Sequence, residues 1–170
     1  MNLSRISSAE RRVRTARAAQ PRHPALRGRT SGTVLAFDFG TRRVGVAVGE
    51  LALGIAHPLE TISAASDRAR LEQVGLLIRE WLPVLLVVGL PSHMDRTEHA
   101  LTARCRRFAA QLERGFGIET QLVDERLTSH AAGESLAAAG VRGRRQKGLL
   151  DQVAAVHILQ TFFTARDDAA

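Results

Sequence analysis

Residues 83–91 read PVLLVVGLP: five consecutive apolar residues, Val84 to Val88, then Leu90 after Gly89. The run falls far short of the roughly 18 apolar residues that span a membrane. Closed off by two prolines, it has the length and β-branched content of a strand buried on both faces. Such strands sit inside parallel sheets with helices covering either side. The chain supplies candidate helices. Leu71, Val74, Ile78 and Trp81 recur at helical spacing across residues 67–81, and Pro83 stops that segment. A second helical pattern covers about residues 95–114, ended by the Phe-Gly pair at 116–117. A third occupies LLDQVAAVHILQTFFTAR, residues 149–166.

The opening of the same region reads differently. In VLAFDFGTRRVGVAVGE, residues 34–50, two strand-like runs flank GTRR, where Gly40 supplies a permissive backbone for a turn. An antiparallel hairpin is expected, with a third short strand near residues 55–61. IETQLVDER gives a further strand ending in three charged residues. A short Ala-rich helix capped by Thr128 or Ser129 and stopped at Gly140 follows it. VRGRRQKG then forms a basic, Gly-punctuated loop. The order β-β-β-α-β-α-β-α-α implies an α/β domain: a mixed five-stranded sheet with helices on both faces.

Charge divides the chain. Residues 1–32 carry eight Arg and a single Glu, whereas residues 33–170 balance sixteen basic against sixteen acidic residues. The net charge of +7 therefore belongs to the first segment. That segment has few large apolar residues and is expected to be a disordered basic extension, leaving one domain over 33–166. It has no apolar stretch suited to a secretory signal. The sole cysteine, Cys105, excludes a disulfide framework and a multi-cysteine zinc site, and is consistent with a reducing cytoplasm. Its spacing with Leu101, Phe108 and Leu112 marks it as a small core residue.

Acids stand where burial makes them costly. Asp38 interrupts the first apolar strand, Asp124 and Glu125 end the IETQLV strand, and Asp151 opens the last helical pattern in its expected first turn. Asp151 shares a helical face with Ala155, Ile158 and Phe162, so it points towards the sheet. A buried carboxylate needs a partner or takes up a proton. Each acid could meet an arginine, for instance Arg42, Arg43 or Arg126. Alternatively the acids converge on divalent cations at the C-terminal edge of the parallel strands, where open α/β sheets gather their sites. Oxygen donors without cysteine suit Mg²⁺ or Mn²⁺. Two such ions can stabilise the attacking and leaving oxygens of a phosphodiester displacement. Arg142, Arg144, Arg145 and Lys147, just ahead of Asp151, could hold a nucleic-acid backbone. With no Tyr and a single Trp, base-stacking surfaces are scarce.

These stretches resemble the YqgF (RuvX) family of pre-16S ribosomal RNA nucleases and Holliday-junction resolvase-like proteins. FDFGTRRVGVAVG is similar to its first motif, and VVGLP with the following Met-Asp-x-Thr-Glu to its second. VDERLTS is similar to the third and KGLLDQVAAVHILQTFF to the last. The resemblance covers about residues 33–164 and implies a ribonuclease H-like fold. It implies metal-binding acids at Asp38, Glu125 (or Asp124) and Asp151. It also implies a substrate of precursor ribosomal RNA, with branched DNA as the alternative. A monomer and a homodimer fit the sequence equally well. Two other classes compete. The first motif also resembles the phosphate-binding hairpin of actin-like sugar kinases, but those clamp nucleotide between two such domains, and this chain has length for one. A purely binding module would account for the basic loop but not for the acids.

Overall fold

The computed structural model describes residues 29–91, 100–124 and 144–168. Three strands come first: β1 (Thr33–Phe39), β2 (Arg43–Glu50) and β3 (Ile55–Ser63). They are followed by α1 (Asp67–Trp81), β4 (Leu85–Leu90), α2 (Ala100–Phe116), β5 (Thr120–Asp124) and α3 (Arg144–Asp167). The sheet order is β3-β2-β1-β4-β5. β1, β4 and β5 run parallel, whereas β2 is antiparallel to both β1 and β3. This is the expected mixed, ribonuclease H-like sheet, and the C-terminal ends of β1, β4 and β5 share one edge.

Alternation along β1 sorts its side chains into two cores. Leu35, Phe37 and Phe39 join Val74 and Leu77 of α1 and Cys105, Phe108 and Leu112 of α2. Val34 and Ala36 join Ala155, Ile158, Leu159 and Phe162 of α3 on the other side. Helices therefore cover both faces, and Asp38 falls on the parity of Val34 and Ala36, the α3 side. Cys105 is buried in the α1/α2 core as expected.

The boundaries of α1 match its sequence pattern. The Ser66 hydroxyl accepts from the Ala69 N–H at 3.2 Å, which caps the first turn. Leu82 closes the helix in a left-handed conformation, φ 46°, donating its N–H to Ile78, and Pro83 follows. Gly117, φ 66°, ends α2 and donates to Glu113 at 2.9 Å. β3 lies at the sheet edge with Pro58 beside a register shift at Val46/Ala47. A residue without an N–H is tolerated there.

Two expectations need correction. Gly40 does not use a left-handed backbone. Its lack of a side chain matters because a Cβ there would lie 2.7 Å from the Arg43 carbonyl oxygen. The basic loop is also shorter than expected. α3 begins at Arg144, so Arg144 to Gly148 are helical and Asp151 lies two turns inside the helix rather than in its first turn. Arg, Gln and Lys are good helix formers, and here they outweigh the unfavourable meeting of basic residues with a helix N-terminus. The extension before residue 29, the start of the second helical pattern and the expected helix at 129–140 lie outside the described residues. No helix among the described residues is long and apolar enough to cross a membrane.

Candidate active site

The C-terminal edge of β1 is organised by one row of residues across three strands. Asp38 on β1 stands opposite Gly45 on β2, and Gly45 stands opposite Thr61 on β3. Directly paired residues share a face, so all three are aimed at α3. Gly45 has no side chain, and α3 uses that space. A Cβ at Gly45 would sit 1.8 Å from the carbonyl oxygen of Asp151 and 2.9 Å from the amide nitrogen of Gln152. Helix backbone therefore rests directly on strand backbone, beside Asp38. Ala47 and Gly49 continue the small-residue track, and a Cβ at Gly49 would already touch Leu159 and Phe163 at 3.0 Å.

Thr61 fixes the helix lengthwise. Its hydroxyl donates to the Gly148 carbonyl at 2.7 Å and accepts from Gln152 Nε2 at 3.2 Å. Each bond is worth about 1 kcal/mol net. Their combined effect is to set which turn of α3 faces Asp38.

The resulting electrostatics are strained. Burial raises the Asp38 carboxyl, and the nearby Asp151 carboxylate raises it further, from 3.8 to about 6. Asp151 meets Arg43, whose Nε lies 2.5 Å from Oδ2. That charge-assisted bond holds the Arg43 guanidinium above its ordinary value, with the direct hydrogen bond as the main cause. Arg43 opens β2 two residues before Gly45, on the same face. The hairpin turn that presents it is tied down from the other side of the sheet. Buried Arg70 of α1 donates to the Thr41 carbonyl at 3.0 Å and to Asp67 at 2.6 Å, and lies 5.1 Å from the Phe39 ring centre.

The described residues thus bring together two of the expected acids, Asp38 and Asp151, with Arg43. Glu125 lies outside the described residues, as does Arg142. Among the described residues no group of three His, Cys, Asp or Glu side chains is placed to hold a metal. Asp124 ends β5 opposite Leu90, which packs in the α1/α2 core. Val123 packs in the α3 core. Alternation therefore assigns Asp124 to the side away from Asp151. Arg144 and Arg145 lie in the first turn of α3, and Lys147 is exposed one turn before Asp151.

Sequence reasoning did not single out Gly45, Thr61, Gln152 or Arg70. Gly45 carried a signal: a glycine inside a strand pattern marks a close backbone approach. Thr61 and Arg70 carried none, because their roles depend on partners 87 and 29 residues away.

The RuvX family model, described as "Holliday junction resolvase", matches residues 32–165. A Nitrosospira multiformis protein named "Putative pre-16S rRNA nuclease" is 57% identical over 137 residues, covering 81% of this chain and 91% of that protein. A Methylobacillus flagellatus protein of the same name is 56% identical over 132 residues, covering 78% and 90%. Among solved structures, T. thermophilus RuvC in complex with a Holliday junction substrate aligns at 17% identity and TM-score 0.47, over 82% of this chain and 98% of that one. Fowlpox virus resolvase with Holliday junction DNA aligns at 5% identity and TM-score 0.49, over 79% and 98%. With a family match running through every motif that builds the Asp38 edge, and relatives at this identity over most of their length, the chain belongs to the RuvX family.

Proposed function

We propose that the protein is a divalent-metal-dependent nuclease of the cytoplasm that hydrolyses phosphodiester bonds in precursor ribosomal RNA, maturing the 5′ end of the 16S species. The observation that carries the reading is the backbone contact at Gly45, which sets the Asp151 turn of α3 beside the Asp38 row, close enough for the Asp151 charge to act on Asp38. Nothing in the packing of α3 requires an acid there. The cost of burying Asp38, and of setting a second carboxylate near it, is visible in its raised carboxyl.

The donor set fits Mg²⁺ or Mn²⁺. Asp38 and Asp151 offer hard anionic oxygens at a half-buried edge, and such ions take one or two carboxylates with water and substrate phosphate completing the shell. Asp38, Asp151 and Glu125 would hold the ions, with Asp124 facing the opposite side of the sheet. Bound there, the metal would supply an activated water and neutralise charge on the phosphate. The chain's own residues do the rest. Gly45 and Thr61 hold Asp151 in place against Asp38. Arg142, Arg144, Arg145 and Lys147 bind the phosphate backbone entering over the start of α3.

A Mn²⁺-dependent cleavage assay on precursor ribosomal RNA, single-stranded RNA and a four-way DNA junction tests the reading, with Asp38→Asn and Asp151→Asn as controls. Cleavage of the precursor by wild type alone is the expected result. Preference for the junction would favour the second reading, resolution of branched DNA, to which the family model's description points. Cleavage that survives both substitutions would remove the metal site from the mechanism.

A further inference from the structure

On the metal-site reading above, we propose that Arg43 is a displaceable counter-cation: it occupies Asp151 in the metal-free protein, yields that carboxylate to the divalent ion, and turns its guanidinium to a phosphate of the nucleic acid.

Arg43 and a metal ion would compete for the same atom. The guanidinium reaches Asp151 through Nε at 2.5 Å from Oδ2, and Asp151 is the acid that α3 delivers beside Asp38. A divalent cation on that oxygen would meet a positive charge within a few ångströms, and the repulsion between the two sets them in competition for it. Arg43 can leave. Its side chain is 36% exposed and that of Asp151 23%, so neither is sealed into the core. Compare Arg70, 3% exposed and fixed between Asp67, the Thr41 carbonyl and the Phe39 ring, which has nowhere to go.

Position gives the freed guanidinium a second use. Arg43 starts β2 at the edge where β1 ends, so a rotamer change carries its head group outward along that edge and not into the sheet. Lys147 lies on α3 one turn before Asp151 and is exposed. Between them passes any backbone whose scissile phosphate approaches Asp38. An arginine is suited to the task, since its planar fork matches carboxylate and phosphate oxygens alike. The exchange also accounts for how a metal-free chain tolerates two facing carboxylates: Arg43 neutralises one of them until the ion arrives.

The test is Mn²⁺ binding by calorimetry on the full chain, for wild type, Arg43→Gln, Arg43→Lys and Asp38→Asn. Removing the competitor should tighten Mn²⁺ binding by about tenfold in Arg43→Gln, the scale of one charge-assisted hydrogen bond. Arg43→Lys keeps the charge and should fall between it and wild type, which keeps the comparison open if the glutamine variant folds poorly. Asp38→Asn should bind least. RNA affinity measured with Ca²⁺ across a salt series should show the dependence on log salt flattened by about one phosphate's worth in Arg43→Gln. Equal or weaker Mn²⁺ binding by both Arg43 variants would overturn the exchange and make Arg43 a fixed orienting partner of Asp151. An unchanged salt dependence would overturn the phosphate contact. Wild type taking up no Mn²⁺ would defeat the metal site itself, a failure distinct from either.

Discussion

Replacing Asp38 by Asn should make the metal-free protein more stable at neutral pH while abolishing its response to metal. The folded state holds the Asp38 carboxyl at about 6 against an ordinary 3.8. Below the lower value the group is protonated whether folded or not, so it contributes no difference. Between the two, the folded state binds more protons than the unfolded one, so stability falls as pH rises. Above about 6 the penalty is complete. At 1.36 kcal/mol per pH unit the gap corresponds to about 3 kcal/mol. Solvent at the half-buried sheet edge screens part of it, leaving about 1–3 kcal/mol. Asn removes the charge at nearly constant size and so removes the penalty. Thermal unfolding in EDTA should show Asp38→Asn above wild type by about 2–12 °C at pH 8, given about 2–4 °C per kcal/mol for a chain of this size. The two should converge towards pH 4. Adding Mn²⁺ at about 100 times its dissociation constant should raise wild type by about 2.7 kcal/mol and leave the variant unmoved. A variant less stable than wild type at pH 8 without metal would refute the electrostatic reasoning. A variant still stabilised by Mn²⁺ would refute the role of Asp38 as ligand.

Gly45→Ala places a methyl group 1.8 Å from the Asp151 carbonyl oxygen, so α3 must lift. A loss of about 2–3 kcal/mol by urea denaturation is expected, together with weaker Mn²⁺ binding in the folded fraction. Glu125→Gln should abolish single-turnover cleavage, as the proposed site requires, whereas Asp124→Asn should retain most of it, because the alternation at Leu122 and Val123 sends Asp124 to the face away from Asp151. Equal losses would show that β5 has already ended. Deleting residues 1–32, which carry eight Arg, should flatten the salt dependence of nucleic-acid binding and leave the single-turnover rate at saturating substrate unchanged.

What could be read from sequence divides by the range of the interactions that decide it. Helix α1 was legible to the residue because its determinants are local: the apolar spacing and the proline that follows, with Ser66 as its cap. The buried β4 strand was legible because a two-faced parallel strand leaves an uninterrupted apolar run. The start of α3 was not legible. Four polar residues and a glycine look like a loop until the helix has something to lie on, and that support is Thr61, 87 residues earlier in the chain. Asp38 and Asp151 were legible as acids out of place. Whether each would meet an arginine or another acid was left open, and the described structure contains both answers at once: Asp151 has its arginine and also its neighbouring carboxylate.

That coexistence follows from one missing side chain. Any residue larger than glycine at position 45 would hold α3 away from β2, and Asp151 would then be an ordinary half-exposed helix acid with Arg43 as surface partner. Closing the gap forces Asp151 towards Asp38, at a cost in stability that the apolar packing of Ala155, Ile158, Leu159 and Phe162 on the sheet must outweigh. The apolar packing holds the C-terminal two-thirds of the helix, and Thr61 anchors the turns on either side of Asp151. A chain selected for stability alone would relax this arrangement by one substitution at position 38. An acid at position 38 beside Gly45, Thr61 and Arg43 fits the proposed cation site, where a bound ion would offset the burial and the neighbouring charge that weaken the metal-free fold.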